Sequence, residues 1–156
     1  MEKNPFMRRA IELAVENVRL GRGGPFGAVI VRDGEIIAEG YNLVTSTNDP
    51  TAHAEVTAIR RACAKLGVFH LDGCEIYTSC EPCPMCLAAI YWAHIETVYF
   101  GCTHKDAAAI GFDDSLIYTE MRKRLEERQI PMVAMDRDSA LTAFDAWRKK
   151  TDRIEY

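Results

Sequence analysis

The chain has 156 residues, enough for one ordinary domain, and 48 % of them are hydrophobic, which excludes an intrinsically disordered segment. Its 19 Lys and Arg against 23 Asp and Glu give a formal charge of −4, so no broad basic face suits it to nucleic-acid phosphates. The longest apolar run, 86–93, is far short of the roughly 20 residues of a membrane helix, and Met1-Glu2-Lys3-Asn4-Pro5 lacks the apolar core of a secretory signal.

Phe6, Ala10, Ile11, Ala14 and Val18 recur at helical spacing, and the glycines from Gly21 to Gly24 end that helix. Gly27-Ala-Val-Ile-Val31 and Glu35-Ile-Ile-Ala-Glu39 flank Asp33-Gly34, the signature of a β-hairpin turn. A polar loop over 45–50 places Asp49 as N-cap and Pro50 as the first residue of a helix over 50–66. Cys74-Glu-Ile-Tyr-Thr78 reads as a third strand, 84–94 as a helix, and Thr97-Val-Tyr-Phe-Gly101 as a fourth strand. A loop around Gly111-Phe112-Asp113-Asp114 leads into a helix over 116–128, with Asp113-Asp114 also suited to cap it. Pro131-Met-Val-Ala-Met135 reads as a fifth strand, and 140–149 as the last helix. The alternation predicts helices on both faces of one five-stranded mixed sheet.

With no secretion signal, a cytoplasmic location is expected, and the six cysteines speak of metal or redox chemistry more than of a disulfide framework. Two motifs carry that chemistry: His53-Ala54-Glu55 and Pro82-Cys83-Pro84-Met85-Cys86. Each opens a predicted helix. Cys83 and Cys86 are about one turn apart, so both sulfurs point to one side, and His53 can add a nitrogen. Two thiolates and an imidazole are preferred donors of a tetrahedral zinc, and three protein ligands leave a position for water. Glu55, two residues from His53, is a poor co-ligand and is better placed to shuttle protons beside an activated water. A thioredoxin-like reading leaves His53-Ala54-Glu55 unexplained, and a structural zinc lacks a fourth ligand at matching spacing. Elsewhere Tyr91-Trp92 reads as core, His70, His94 and His104 as surface or strand-end residues, Cys63, Cys74 and Cys102 as small buried residues, and Cys80 as a neighbour of the metal ligands.

The paired motifs are the general signature of zinc nucleobase deaminases. Over essentially its whole length the sequence resembles that superfamily, and within it the small bacterial guanine deaminases of cytidine-deaminase fold. The likeness is carried by Gly23-Gly-Pro-Phe-Gly-Ala-Val-Ile-Val31, Asn48-Asp-Pro-Thr-Ala-His-Ala-Glu-Val56, Thr78-Ser-Cys-Glu-Pro-Cys-Pro-Met-Cys86, Gly111-Phe-Asp-Asp114 and the closing Glu155-Tyr156. The resemblance implies a three-layer α/β/α fold and one zinc per chain on His53, Cys83 and Cys86. It gives Glu55 the proton transfers and puts Phe26, Asn42, Ala54, Trp92, Asp114 and Tyr156 around the purine, with Asp114 also counted as catalytic. It further implies one deaminase domain over 1–156 in a homodimer, with the segment 137–156 exchanged between subunits.

One physical argument separates guanine from adenine. Guanine offers donors at N1–H and its 2-amino group, adenine N1 is an acceptor, and an ionised Asp114 only accepts. Guanosine and related aminated heterocycles remain alternatives. A transfer-RNA adenosine deaminase, sharing Pro50-Thr-Ala-His-Ala-Glu55, and a catalytically silent zinc-binding subunit are more distant ones.

Overall fold

The computed structural model describes residues 4–156; Met1 to Lys3, read above for leader character, lie outside the described residues. The chain divides into two compact units, Met1–Asp114 and Ser115–Tyr156.

The first unit is built on four strands, β1 (Gly27–Arg32), β2 (Glu35–Tyr41), β3 (Cys74–Cys80) and β4 (Thr97–Cys102), in the order β2-β1-β3-β4. β1 runs antiparallel to both neighbours, while β3 and β4 are parallel. The alternation of side chains along β1 divides the core. Val29 and Val31 pack with Leu13 and Tyr77 on the face covered by α1 (Pro5–Arg19). Ala28 and Ile30 pack with Ala54, Ala58, Ile76 and Ile90 on the face covered by α3 (Ala54–Leu66) and α4 (Pro84–Trp92). The three-layer arrangement is therefore as expected.

α1 begins at Asn4, whose side chain accepts from the amides of Phe6 and Met7 at 2.9 and 3.0 Å, the N-cap geometry that satisfies orphan donors. Its buried stripe is Ala10, Leu13, Ala14 and Asn17, whereas Ile11 and Val18 of the expected face are exposed. α3 lies very close to β2. A Cβ on Gly40 would stand 2.2 Å from the Ala54 carbonyl, so only glycine lets the first turn of α3 rest on the strand.

The two ends of the sheet differ. β2 carries a register shift opposite Ile30 and Val31, and its Ile37 and Glu39 carbonyls accept from Lys65 and Arg61 of α3, each at 3.0 Å. Bulges and long cations are recognised guards of an edge strand. Among the described residues β4 has no such hydrogen bonds, and its Tyr99 and Phe100 are 42 % and 48 % exposed.

Several sequence expectations change. The sheet has four strands, because 131–135 joins no ladder and its Met132, Val133 and Met135 are exposed. A short apolar run needs a neighbouring strand, which propensity alone does not supply. The helix expected from Pro50 starts at Ala54: Asp49 closes a turn on Thr51, accepting from its amide at 2.8 Å and its hydroxyl at 2.6 Å. A short α2 (Val44–Thr47) precedes it. Tyr91 and Trp92 are surface residues, since α4 buries only Pro84, Cys86 and Ile90.

In the first unit α5 (His104–Ala109) follows β4. The second unit holds α6 (Ser115–Arg122), a short 3-10 turn (Leu125–Glu127) and α7 (Arg137–Lys149). The helix expected over 116–128 thus ends early. No helix among the described residues is long and apolar enough to cross a membrane.

Candidate active site

His53 and Cys83 are the N-cap residues of α3 and α4, and Glu55 and Cys86 lie in the first turns of the same helices. The His53 side chain makes no capping bond to α3, and that of Cys83 meets Cys86 in the first turn of α4. Both helices begin, with their positive ends, at these side chains. Pro84, at the first position of α4, gives up a donor that position does not need. α4 begins just beyond the carboxyl end of β3, where open α/β sheets hold their ligands.

His53 Nδ1 is 3.5 Å from Cys83 Sγ and 3.5 Å from Cys86 Sγ, and the three donor atoms lie within 4.8 Å of one another. A tetrahedral zinc with its usual bond lengths places nitrogen and sulfur about 3.5 Å apart. The donor set and spacing therefore fit zinc, with its fourth position open. The thiols already behave as a pair: the Cys83 thiol is pushed down to about 4, first by a hydrogen bond from Cys86 and then by His53. Cys86 is raised because Cys83 takes the shared negative charge.

Glu55 is 6 % exposed. The Cys86 thiol donates to Glu55 Oε2 at 3.4 Å, and Thr78 Oγ1, which donates to the Cys80 carbonyl at 3.0 Å, stands 3.5 Å from Oε1. Burial, with Cys83 beside it, raises the Glu55 carboxyl above the ordinary carboxylate range. A carboxyl that holds its proton more tightly and sits against the metal donors suits a group that takes and returns protons.

The other predicted residues divide. Asn42 is buried at the end of β2, and its backbone amide donates to the Phe26 carbonyl at 3.1 Å. A hydrogen bond from Leu43 to the Ala52 carbonyl at 2.9 Å closes the loop between Asn42 and His53, bringing both to one end of the sheet. Phe26 packs edge-on against Phe112, ring centroids 4.9 Å apart, and Ala54 is fully buried at the first position of α3. The Asp114 carboxyl is raised, first by burial; of the charges it feels, Cys83 acts most strongly and His104 opposes it. Trp92 lies at the far end of α4, about 9 Å along the axis from Cys86, and is 68 % exposed. Tyr156 closes the second unit and is exposed.

Cys80 is buried, its thiol donating to the Thr103 carbonyl at 3.6 Å and pushed up to about 11 mainly by burial. Cys102, expected in the core, is exposed. His104 is tied to the metal loop, its amide and Nδ1 meeting Glu81 Oε2 at 3.0 and 2.8 Å. A second cluster, His70, Asp72 and His94, brings three donors together, but the imidazoles stack with centroids 4.2 Å apart and planes 12° apart. Lone pairs in two nearly parallel planes do not converge on one ion. Thr78 and Phe112, present only within motifs, are not legible as site residues in the sequence; their contacts with Glu55 and Phe26 come from the fold. Asn17 escapes the sequence reading as well, although its place in the stripe of Ala10, Leu13 and Ala14 marks a polar residue facing inward.

The model of the cytidine and deoxycytidylate deaminase zinc-binding region matches residues 1–102. Over 156 residues the chain is 58 % identical to the guanine deaminase of Bacillus subtilis strain 168, covering 100 % of both proteins. The X-ray structure of guanine deaminase from Bacillus subtilis matches with a TM-score of 0.96, covering 100 % of this chain and 99 % of that one. The structure of guanine deaminase from Nitrosomonas europaea matches with a TM-score of 0.67 at 37 % identity, covering 71 % of this chain and 65 % of that one. A tRNA-specific adenosine deaminase of Aquifex aeolicus is 43 % identical over 105 residues, 67 % of this chain and 69 % of that protein.

Proposed function

The chain belongs to the family with the cytidine and deoxycytidylate deaminase zinc-binding region, and from that premise we propose that it hydrolyses guanine to xanthine and ammonia. The observation that carries the reading is end-to-end similarity to a guanine deaminase, 58 % over 156 residues. The transfer-RNA adenosine deaminases match at lower identity, 43 % over 105 residues in one and 36 % over 155 residues in another. The donor geometry at His53, Cys83 and Cys86 agrees with it.

His53, Cys83 and Cys86 hold one zinc, which when bound lowers the pKa of a water molecule and so provides the nucleophile at neutral pH. Glu55 takes one proton as water adds to C2 of the base and passes it to the neighbouring ring nitrogen; it then takes the proton of the added hydroxyl and gives it to the 2-amino group, which leaves as ammonia as the C2 carbonyl forms. Its burial keeps these transfers out of bulk water. Asn42 binds the base through its amide, Phe26 lines the pocket beside the buried Ala54, and Asp114 accepts from donors on guanine that adenine lacks.

The active form is a homodimer of single-domain subunits in the cytoplasm, with 137–156 exchanged so that Tyr156 serves the partner's pocket, and Trp92 lines a pocket wall. Support comes from the exposed Tyr99 and Phe100 of β4, the exposed Tyr91 and Trp92, and the apolar 131–135 that joins no ladder. The thiol ligands suit a reducing compartment.

Ammonia release from guanine, guanosine, adenine, cytosine and aminotriazines by the zinc-loaded enzyme tests the reading, with guanine expected to turn over fastest. No release from guanine, or faster release from guanosine, overturns it. Sedimentation at a monomer's mass overturns the homodimer.

A further inference from the structure

We propose that Asn17 is a positioning residue that aims Asn42 at the base; this rests on the reading that Asn42 contacts the purine. Asn17 lies in the last turn of α1, 1 % exposed, and its Nδ2 donates to the Gly24 carbonyl and to the Asn42 carbonyl, each at 2.8 Å. Only the NH2 end of an amide can meet two carbonyl oxygens, so the side chain's orientation follows from its partners. Its Oδ1 is buried without a hydrogen bond among the described residues. What the position uses is therefore the NH2 group.

Asn42 is held at three of its four polar groups. Its amide donates to the Phe26 carbonyl at 3.1 Å, its carbonyl accepts from Asn17, and its Oδ1 accepts from the Gly24 and Val44 amides, both at 3.2 Å. With Oδ1 pinned twice, the side-chain torsion is set, and Nδ2 is the donor left for a ligand. Asn17 grips both partners of the Gly24–Asn42 contact, holding the carbonyl of each while the Gly24 amide meets Oδ1. The loop has no slack there: a Cβ on Gly23 would lie 2.3 Å from the Asn42 carbonyl oxygen and 2.8 Å from Oδ1. Without the Asn17 NH2 group, the Gly24 and Asn42 carbonyls lose the donor between them and separate, and the Gly24 bond to Oδ1 goes with them. Nδ2 then loses its fixed direction while the metal donors, on α3 and α4, stay in place.

The test is a double-mutant cycle in the zinc-loaded enzyme with Asn17→Ala, Asn42→Ala and both, with Asn17→Asp as the same-shaped variant should Asn17→Ala not fold. In the wild-type background kcat/KM for guanine is expected to fall about tenfold or more, mostly through KM, at unchanged zinc content; in the Asn42→Ala background the same change is expected to cost less than about twofold. Equal losses in both backgrounds reduce Asn17 to a structural residue and overturn the proposal. A second readout is independent of turnover: the 15N side-chain amide signals of Asn42, assigned by their absence in Asn42→Ala, shift or broaden in the Asn17 variants. Unchanged signals overturn the proposal. Should the wild type release no ammonia from guanine, the functional reading fails and the amide signals alone decide the clamp.

Discussion

Glu55 Oε2 lies 3.4 Å from Cys86 Sγ, so the carboxyl assigned to proton transfer and a sulfur assigned to the metal share one buried corner. Glu55→Gln keeps the shape and leaves an amide that still bonds the sulfur, but it carries no exchangeable acid proton. We expect kcat for guanine to fall by about 10²–10⁴, the usual worth of a general acid–base group, with zinc still at one per chain. Stopped-time ammonia release, with metal content measured on the same sample, checks this. Loss of zinc along with activity would move Glu55 from chemistry to metal retention.

Stripping the metal has a different signature. A strong chelator should abolish turnover and lower the melting temperature by roughly 5–10 °C, since a ligand at about 100 times its Kd adds near 2.7 kcal/mol to stability. Zinc should restore both and magnesium neither, because two sulfurs and a nitrogen are poor donors for a hard ion. Cys83→Ser should resemble the stripped enzyme at any zinc concentration near stoichiometric.

Asp114 tests the reading of the base. Asp114→Asn turns one of two accepting ends into a donor, so a guanine donor meets a like group. A loss of about 10–10³ in kcat/KM for guanine is expected, much smaller for an aminated ring without those donors. An equal loss on both substrates would show that Asp114 does not read the purine edge.

Arg9 and Glu39 form a two-pronged ion pair between α1 and β2, at 2.6 and 2.8 Å. The Arg9 guanidinium holds the Glu39 carboxyl below the ordinary carboxylate range. A carboxyl depressed by folding adds stability that is complete above its unfolded pKa and disappears as pH falls through its folded one. Both side chains are about a third exposed, so screening limits the contribution to roughly 0.5–1 kcal/mol. Urea denaturation of wild type and Glu39→Gln should show that difference near pH 7 and its disappearance in acid.

The chemistry was more legible than the architecture around it. His53, Glu55, Cys83 and Cys86 fall in the first turns of two helices, where local spacing decides which side chains share a side. Asn42 and Asp114 came from resemblance. Thr78, Phe112 and Asn17 depend on which strand pairs with which and which loop folds back, and no local pattern carries that. The fifth strand failed for the same reason: 131–135 has the composition of a strand, but composition does not specify a partner. The helix boundary moved from Pro50 to Ala54 because Asp49, as good a turn former as a cap, found Thr51 nearer.

Lys65 and Arg61 occupy carbonyls on β2, and no comparable bonds guard β4 among the described residues. A sheet stoppered at one side accepts at most one newcomer and then offers no further template. If the subunits of the homodimer proposed above meet through strands, association would terminate after a single addition, where an equally open pair of edges would permit an endless fibre.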